Sequence, residues 1–177
     1  MSSNKYTIDD VLNIKEAKKT GKGNDLKVTL KKHSFKGTSL YAKKPIKKGS
    51  TVALYKFLVN KYDDDFEGEK DGMYTISVYT KSGRFNSRVM GDIYTGTLKK
   101  PRRNIPYWAH FSNEPSHPQE ENVYLDINLK ENYKNRDKVK PGDTMIYKLV
   151  ALRDIKPGEE ITWCYGDAYL RSYKANC

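Results

Sequence analysis

The chain has 177 residues, a net charge of +11 from 33 Lys and Arg against 22 Asp and Glu, and 37% hydrophobic residues, enough for one domain with a true core. It contains no long apolar run, no secretory leader pattern and only two cysteines, Cys164 and Cys177. This composition argues against a membrane protein, a disulfide scaffold or a Cys-rich zinc module, and predicts a soluble protein of a reducing compartment.

In chain order, Thr7 followed by Ile8, Val11, Leu12 and Ile14 predicts an N-capped amphipathic helix of about three turns, ending near Gly21-Lys22-Gly23. Residues 1–24 therefore form an N-terminal appendage. Strand-like runs rich in β-branched and aromatic residues follow at Lys27–Leu30, Thr51–Val59, Met73–Tyr79, Val123–Asn128 and Met145–Leu152. Turns separate them, which predicts a mainly β protein of several small sheets and short helices.

Charge is arranged in blocks. Residues 26–61 hold ten lysines and no acid, whereas Asp63 to Asp71 carries six acids against one lysine. Such blocks are ordinarily solvated faces, but Lys43, Lys44, Lys47 and Lys48 could also track nucleosomal DNA through counterion release. The acidic run could attract a basic peptide. Lys99-Lys100-Pro101-Arg102-Arg103 reads as a weak nuclear-localisation patch.

One pattern occurs twice. Ala42-x3-Ile46-x2-Gly49-x2-Val52 recurs as Ala151-x3-Ile155-x2-Gly158-x2-Ile161, each copy a strand end, a Gly-bearing turn and a strand start. The second copy continues as Glu159-Glu160-Ile161-Thr162-Trp163-Cys164-Tyr165-Gly166-Asp167, which resembles the C-terminal signature of SET-domain protein lysine methyltransferases. The first is preceded by Lys36-Gly37-Thr38-Ser39-Leu40-Tyr41, similar to that family's G-x-G-(L/V)-x-A loop, with Ser39 at the second glycine. Trp108-Ala109-His110-Phe111-Ser112-Asn113-Glu114-Pro115 and Asn122 resemble its R-F-x-N-H-S-C-x-P-N segment, with Glu114-Pro115 in place of His-Ser.

The resemblance covers roughly residues 25–172, leaving 62–105 as the family's variable insert and 173–177 as a tail. It is greatest to compact viral-type SET enzymes that lack zinc-binding flanks. It implies a SET fold with a C-terminal pseudoknot, S-adenosylmethionine as cofactor, no metal, and Tyr165 as the catalytic tyrosine. It further implies cofactor contacts from Gly37, Ser39, Tyr41, Asn113, Glu114 and Tyr165. A substrate channel would be walled by Tyr107, Trp108, Tyr124 and Trp163, aromatic rings suited to an ammonium group. Cys164 is expected to be a small buried residue, and His110 a hydrogen-bonded structural one.

The implied activity is lysine N-methylation of a histone or another basic nucleic-acid-bound protein, in the nucleus or on chromatin, otherwise in the cytoplasm. A free lysine has a pKa of about 10.4, so deprotonation at neutral pH costs roughly 4.6 kcal/mol. A desolvated channel beside a positive sulfonium lowers that cost. Two other readings stay open: a SET-like module without catalysis that binds chromatin or nucleic acid, and a β-rich nucleic-acid-binding domain unrelated to methylation. A Cys/His hydrolase and a metal site from His33, His110 and His117 both fail on spacing and motif.

Overall fold

The computed structural model describes residues 25–62, 75–93, 102–167, 169 and 171–177. The predicted N-terminal helix, the acidic run, Lys99 and Lys100 lie outside the described residues. Two antiparallel sheets are present. The first pairs β1 (Val28–His33) with β2 (Gly37–Ala42). The second has five strands in the order β4-β5-β3-β7-β6, formed by β3 (Thr51–Lys61), β4 (Ile76–Tyr79), β5 (Phe85–Ile93), β6 (Val123–Asp126) and β7 (Thr144–Ala151).

The central strand β3 is apolar on both faces because it lies inside the molecule rather than along one surface. Val52, Ala53, Leu54, Tyr55, Phe57 and Val59 are all buried. Phe57 meets Tyr147 of β7 edge-on at 4.7 Å between ring centres. The buried Tyr147 hydroxyl donates to the Ser77 carbonyl at 2.9 Å, satisfying the one polar atom that this ring takes into the core.

The five predicted strands are present with shifted ends. Two strands exceed the prediction. Of β2 only the end at Ala42 is legible, since Gly37, Thr38 and Ser39 are poor strand formers. β5 shows no alternation because most of it is solvent-facing and only Val89 and Gly91 are buried among its described side chains. Gly91 is required there: an added Cβ would lie 2.7 Å from Ile76 Cγ2 and closer still to the Phe57 ring. A one-turn helix α1 (Leu129–Asn132) follows Asn128, whose backbone is left-handed at φ 52°.

The two copies of the repeated corner pair with each other across Ile46 and Ile155. This joins the first sheet to the second and aims the chain after Gly158 into the heart of the molecule.

Candidate active site

Residues 160–163 run between β2 and the loop that follows Phe111. On one side the Ile161 N–H donates to the Leu40 carbonyl at 2.7 Å, and on the other the Trp163 N–H donates to the Asn113 carbonyl at 3.1 Å. Asn122, buried, clasps the same stretch: its amide donates to the Glu160 carbonyl at 2.7 Å and its oxygen accepts the Thr162 N–H at 3.0 Å. Passing the chain under a loop fixed on both sides leaves Tyr165, just beyond, little freedom.

Tyr165 is held at both ends. Its hydroxyl donates to the Ser112 carbonyl at 2.8 Å, and its backbone N–H donates to Glu114 Oε1 at 2.9 Å. Trp163 and Tyr169 pack on the ring at 4.9 and 4.8 Å between centroids. Burial pushes the phenol well above its usual pKa, and the neighbouring Tyr173, Tyr169 and Glu114 add to the effect. The group is therefore a neutral phenol at physiological pH. With its proton committed to Ser112, its oxygen presents lone pairs to whatever lies beside it.

That neighbour is a cavity of about 930 Å³. Phe35, Tyr55, Tyr124, Trp163, Tyr169 and Tyr173 contribute to its wall, with Asn113, Glu114 and Tyr165 also reaching it. Among the described residues, five of the six large hydrophobic side chains that stand exposed line this cavity: Phe35, Tyr62, Phe85, Tyr124 and Tyr173. An apolar surface collected around one opening marks a binding mouth.

The polar framework around the cavity is closed on itself. Lys36 Nζ donates to the Glu114 carbonyl at 3.0 Å, to Gln119 Oε1 at 3.3 Å and to Glu160 Oε2 at 3.1 Å, using all three ammonium protons. Asn113 Nδ2 donates to Ser39 Oγ at 2.6 Å. Ser39 is fully buried in β2 opposite Lys31, and it is not among the positive-φ residues, whereas Gly37 has φ 76°. The position of the missing second glycine is thus ordinary strand here, and the hydroxyl anchors Asn113.

A family model described as SET domain matches residues 37–166, the span from Gly37 through Tyr165. The chain belongs to the SET-domain family. No curated protein matches it. Among solved structures, the SET domain is similar to CpSET8 from Cryptosporidium, with a TM-score of 0.50 and 22% identity over 79% of this chain and 57% of that one. It is similar to the polycomb repressive complex 2 of Chaetomium thermophilum, TM-score 0.50 and 19% identity over 81% of this chain and 16% of that one. It also matches PFL0690c of Plasmodium falciparum, provisionally named a histone methyltransferase, at TM-score 0.46 and 14% identity over 82% and 97%. The chain spans little more than half of CpSET8. The family match over residues 37–166 and the two sheets give the fold, a mainly β SET domain.

Within this SET domain the sequence-derived residues separate into two groups. Asn113, Glu114, Tyr165, Tyr124 and Trp163 meet at one cavity. Gly37, Ser39, Tyr41, Tyr107 and Trp108 are not part of its lining. Trp108 is buried in the hydrophobic core. Tyr41 faces a second cavity of about 460 Å³ with Gln119 and Glu160. Its phenol is raised by burial first and by the Glu160 charge second, and Lys31 sits 5.1 Å from its ring centre. The side chain of Glu114 also reaches the C-terminal residues Arg171 and Tyr173, described below.

The expectation for Cys164 is overturned. It is half-buried and joined to Cys177 in a disulfide, with 5.8 Å between the Cα atoms. The last residue of the chain is thereby returned to Cys164, the neighbour of Tyr165. The lysine block is also less free than its sequence suggests: Lys47 pairs with Asp154 at 2.9 Å, Lys44 pairs with Asp25, and the Lys48 N–H donates to Asp154 at 2.9 Å. Nothing in this arrangement favours a DNA contact. Sequence reasoning missed Tyr55, Tyr169, Arg171 and Tyr173, which lie outside the motifs and reach the site only through the fold.

Proposed function

We propose that the protein is an S-adenosylmethionine-dependent protein lysine N-methyltransferase whose substrate is a basic, nucleic-acid-associated protein such as a histone. The observation that carries this reading is the Tyr165 hydroxyl, fixed by the Ser112 carbonyl at 2.8 Å beside an aromatic-walled cavity within the family's matched span. The residues present fit the cofactor. A purine nucleoside with an amino-acid tail and a sulfonium needs aromatic faces and a few polar groups, and Phe35, Tyr169, Tyr173, Asn113 and Lys174 supply that mixture on one cavity.

When bound, S-adenosylmethionine supplies an electrophilic methyl group. The chain's own residues orient the acceptor and control its proton. Tyr165, neutral and with its proton held by Ser112, accepts a hydrogen bond from a lysine amine and aligns the nitrogen lone pair. It is too weakly acidic to serve as a base at neutral pH. A lysine amine seated among the rings of Tyr55, Tyr124 and Trp163 would lose part of its hydration, and desolvation favours the uncharged form. The methylated side-chain ammonium that transfer would leave on the lysine is accommodated by the same aromatic faces.

A substrate in the histone class would give the enzyme a nuclear site of action. The test is incubation with labelled S-adenosylmethionine and a panel of histones and nucleosomes, with modified lysines located by mass spectrometry. Label on defined lysines is expected. No transfer and no calorimetric heat with the cofactor would return the chain to a SET-like module without catalysis.

A further inference from the structure

Glu114 occupies the position where the related motif has histidine, and its side chain is buried, with a carboxylate fully withdrawn from solvent. Four protein donors converge on it. The Tyr165 N–H reaches Oε1 at 2.9 Å, Arg171 Nη2 reaches Oε1 at 2.6 Å, Arg171 Nε reaches Oε2 at 2.8 Å, and the Tyr173 hydroxyl reaches Oε2 at 2.9 Å. A carboxylate offers about four lone-pair positions, and all are used. The Glu114 backbone carbonyl meanwhile accepts Lys36 Nζ at 3.0 Å. One residue therefore ties the C-terminal segment, the loop before β2 and the backbone of Tyr165 to a single point.

We propose that Glu114 is a positioning residue for methyl transfer, setting the orientation of Tyr165 through its backbone N–H while its two oxygens together carry, through Arg171 and Tyr173, the C-terminal segment that contributes to the cavity wall. This rests on the methyltransferase reading above. Among the described residues, Tyr165 is fixed at two polar points, the hydroxyl on Ser112 and the N–H on Glu114. Loss of the second lets the residue rotate about the first, and a displacement of about 1 Å at a reacting group can lower a rate on the order of a hundredfold. The bidentate Arg171 pair has a different role. It neutralises the buried charge and anchors the segment bearing Tyr173, a wall residue, so its effect falls on binding.

The two roles separate kinetically. Glu114→Ala should lower kcat at least tenfold at saturating cofactor and peptide. Tyr173→Phe, which leaves the Glu114–Tyr165 bond in place, should raise the cofactor KM by a larger factor than it lowers kcat. Because Glu114→Ala leaves Arg171 without its partner and could unfold, the double variant Glu114→Gln/Arg171→Met supplies a second arm. It removes both charges but keeps an amide oxygen for the Tyr165 N–H, and kcat should recover to within about threefold of the parent. An active parent whose Glu114→Ala variant keeps its kcat, or whose double variant loses as much as Glu114→Ala, overturns the positioning role alone. A parent that transfers no methyl group overturns the functional reading, and the positioning role falls with it.

Discussion

Ile46 and Ile155 exchange a reciprocal pair of backbone hydrogen bonds, the Ile46 N–H to the Ile155 carbonyl at 3.0 Å and the reverse at 2.8 Å. The reciprocity extends outward. Gly49 donates to the Ala151 carbonyl and Gly158 to the Ala42 carbonyl, both at 2.8 Å, while Ala42 donates to Glu159 at 2.8 Å and Ala151 to Ser50 at 3.0 Å. The repeated sequence thus builds a local two-fold arrangement in which each copy satisfies the backbone of the other.

Both turns depend on left-handed glycines, Gly49 at φ 80° and Gly158 at φ 89°, with nothing within 4 Å of an added Cβ. Gly49→Ala and Gly158→Ala should each destabilise the protein by about 1–2 kcal/mol, from conformation alone. Urea denaturation measures this. Because the turns share hydrogen bonds, the double variant should depart from additivity; strict additivity would mean the copies act independently.

The Asn113–Ser39 bond makes a second prediction. Ser39→Ala leaves the part-buried Asn113 amide without that acceptor and should lower stability by roughly 1 kcal/mol. Ser39→Gly, although it creates the residue usual in the related motif, should be no better, since it loses the same bond and adds backbone freedom inside β2. Asn113→Ala should weaken cofactor binding in calorimetry while the protein remains folded.

Acid should undock the C-terminal segment. Burial acts to raise the Glu114 carboxyl pKa, but the hydrogen bonds from Arg171, the Tyr165 N–H and Tyr173, together with the Arg171 charge, hold it below the ordinary carboxylate value. A depressed native pKa means stability that is complete above the unfolded value of about 4.3 and is lost as pH falls through the native one. Stability measured from pH 7 downward should therefore decline below about pH 4, and Glu114→Gln should reduce that decline.

Reduction of Cys164–Cys177 frees an end that closes a loop with a sequence separation of 13. Chain-entropy arguments put the loss at roughly 3 kcal/mol for loops of this size. Treatment with a thiol reductant should lower Tm, make the residues after Arg171 sensitive to protease, and weaken cofactor binding by loosening the Tyr173 wall. Unchanged proteolysis after confirmed reduction would mean that Glu114, Arg171 and the Pro115 carbonyl, which accepts the Asn176 N–H at 2.8 Å, hold the tail alone.

What the sequence made legible was local. Strands with continuous apolar runs such as β3 and β7, the glycine turns, and the Asn113, Asn122 and Tyr165 motif residues each carry a pattern within a few positions. β5 escaped because, among its described side chains, the buried positions are Val89 and Gly91, too few to set a period. An aromatic beside a motif, such as Trp108, carries no sign of which way it points. The Glu114 cluster was invisible for a different reason: Arg171 and Tyr173 lie 57 and 59 residues away, and only the fold-back of the chain brings them to the carboxylate. The disulfide is the same case, two cysteines whose pairing depends on that return.

The central claim rests on the Tyr165 hydroxyl, and the most direct measurement is the rate of labelled methyl transfer to histone by the Tyr165→Phe variant beside the parent, with cofactor affinity measured on both. The substitution removes one oxygen and keeps the ring that packs on Trp163 and Tyr169. An interaction made chiefly in the transition state is lost from the rate and not from ground-state binding. The account predicts near-parental cofactor affinity with a rate lower by about a hundredfold or more, roughly 3 kcal/mol. A Phe variant that methylates at the parental rate would contradict it.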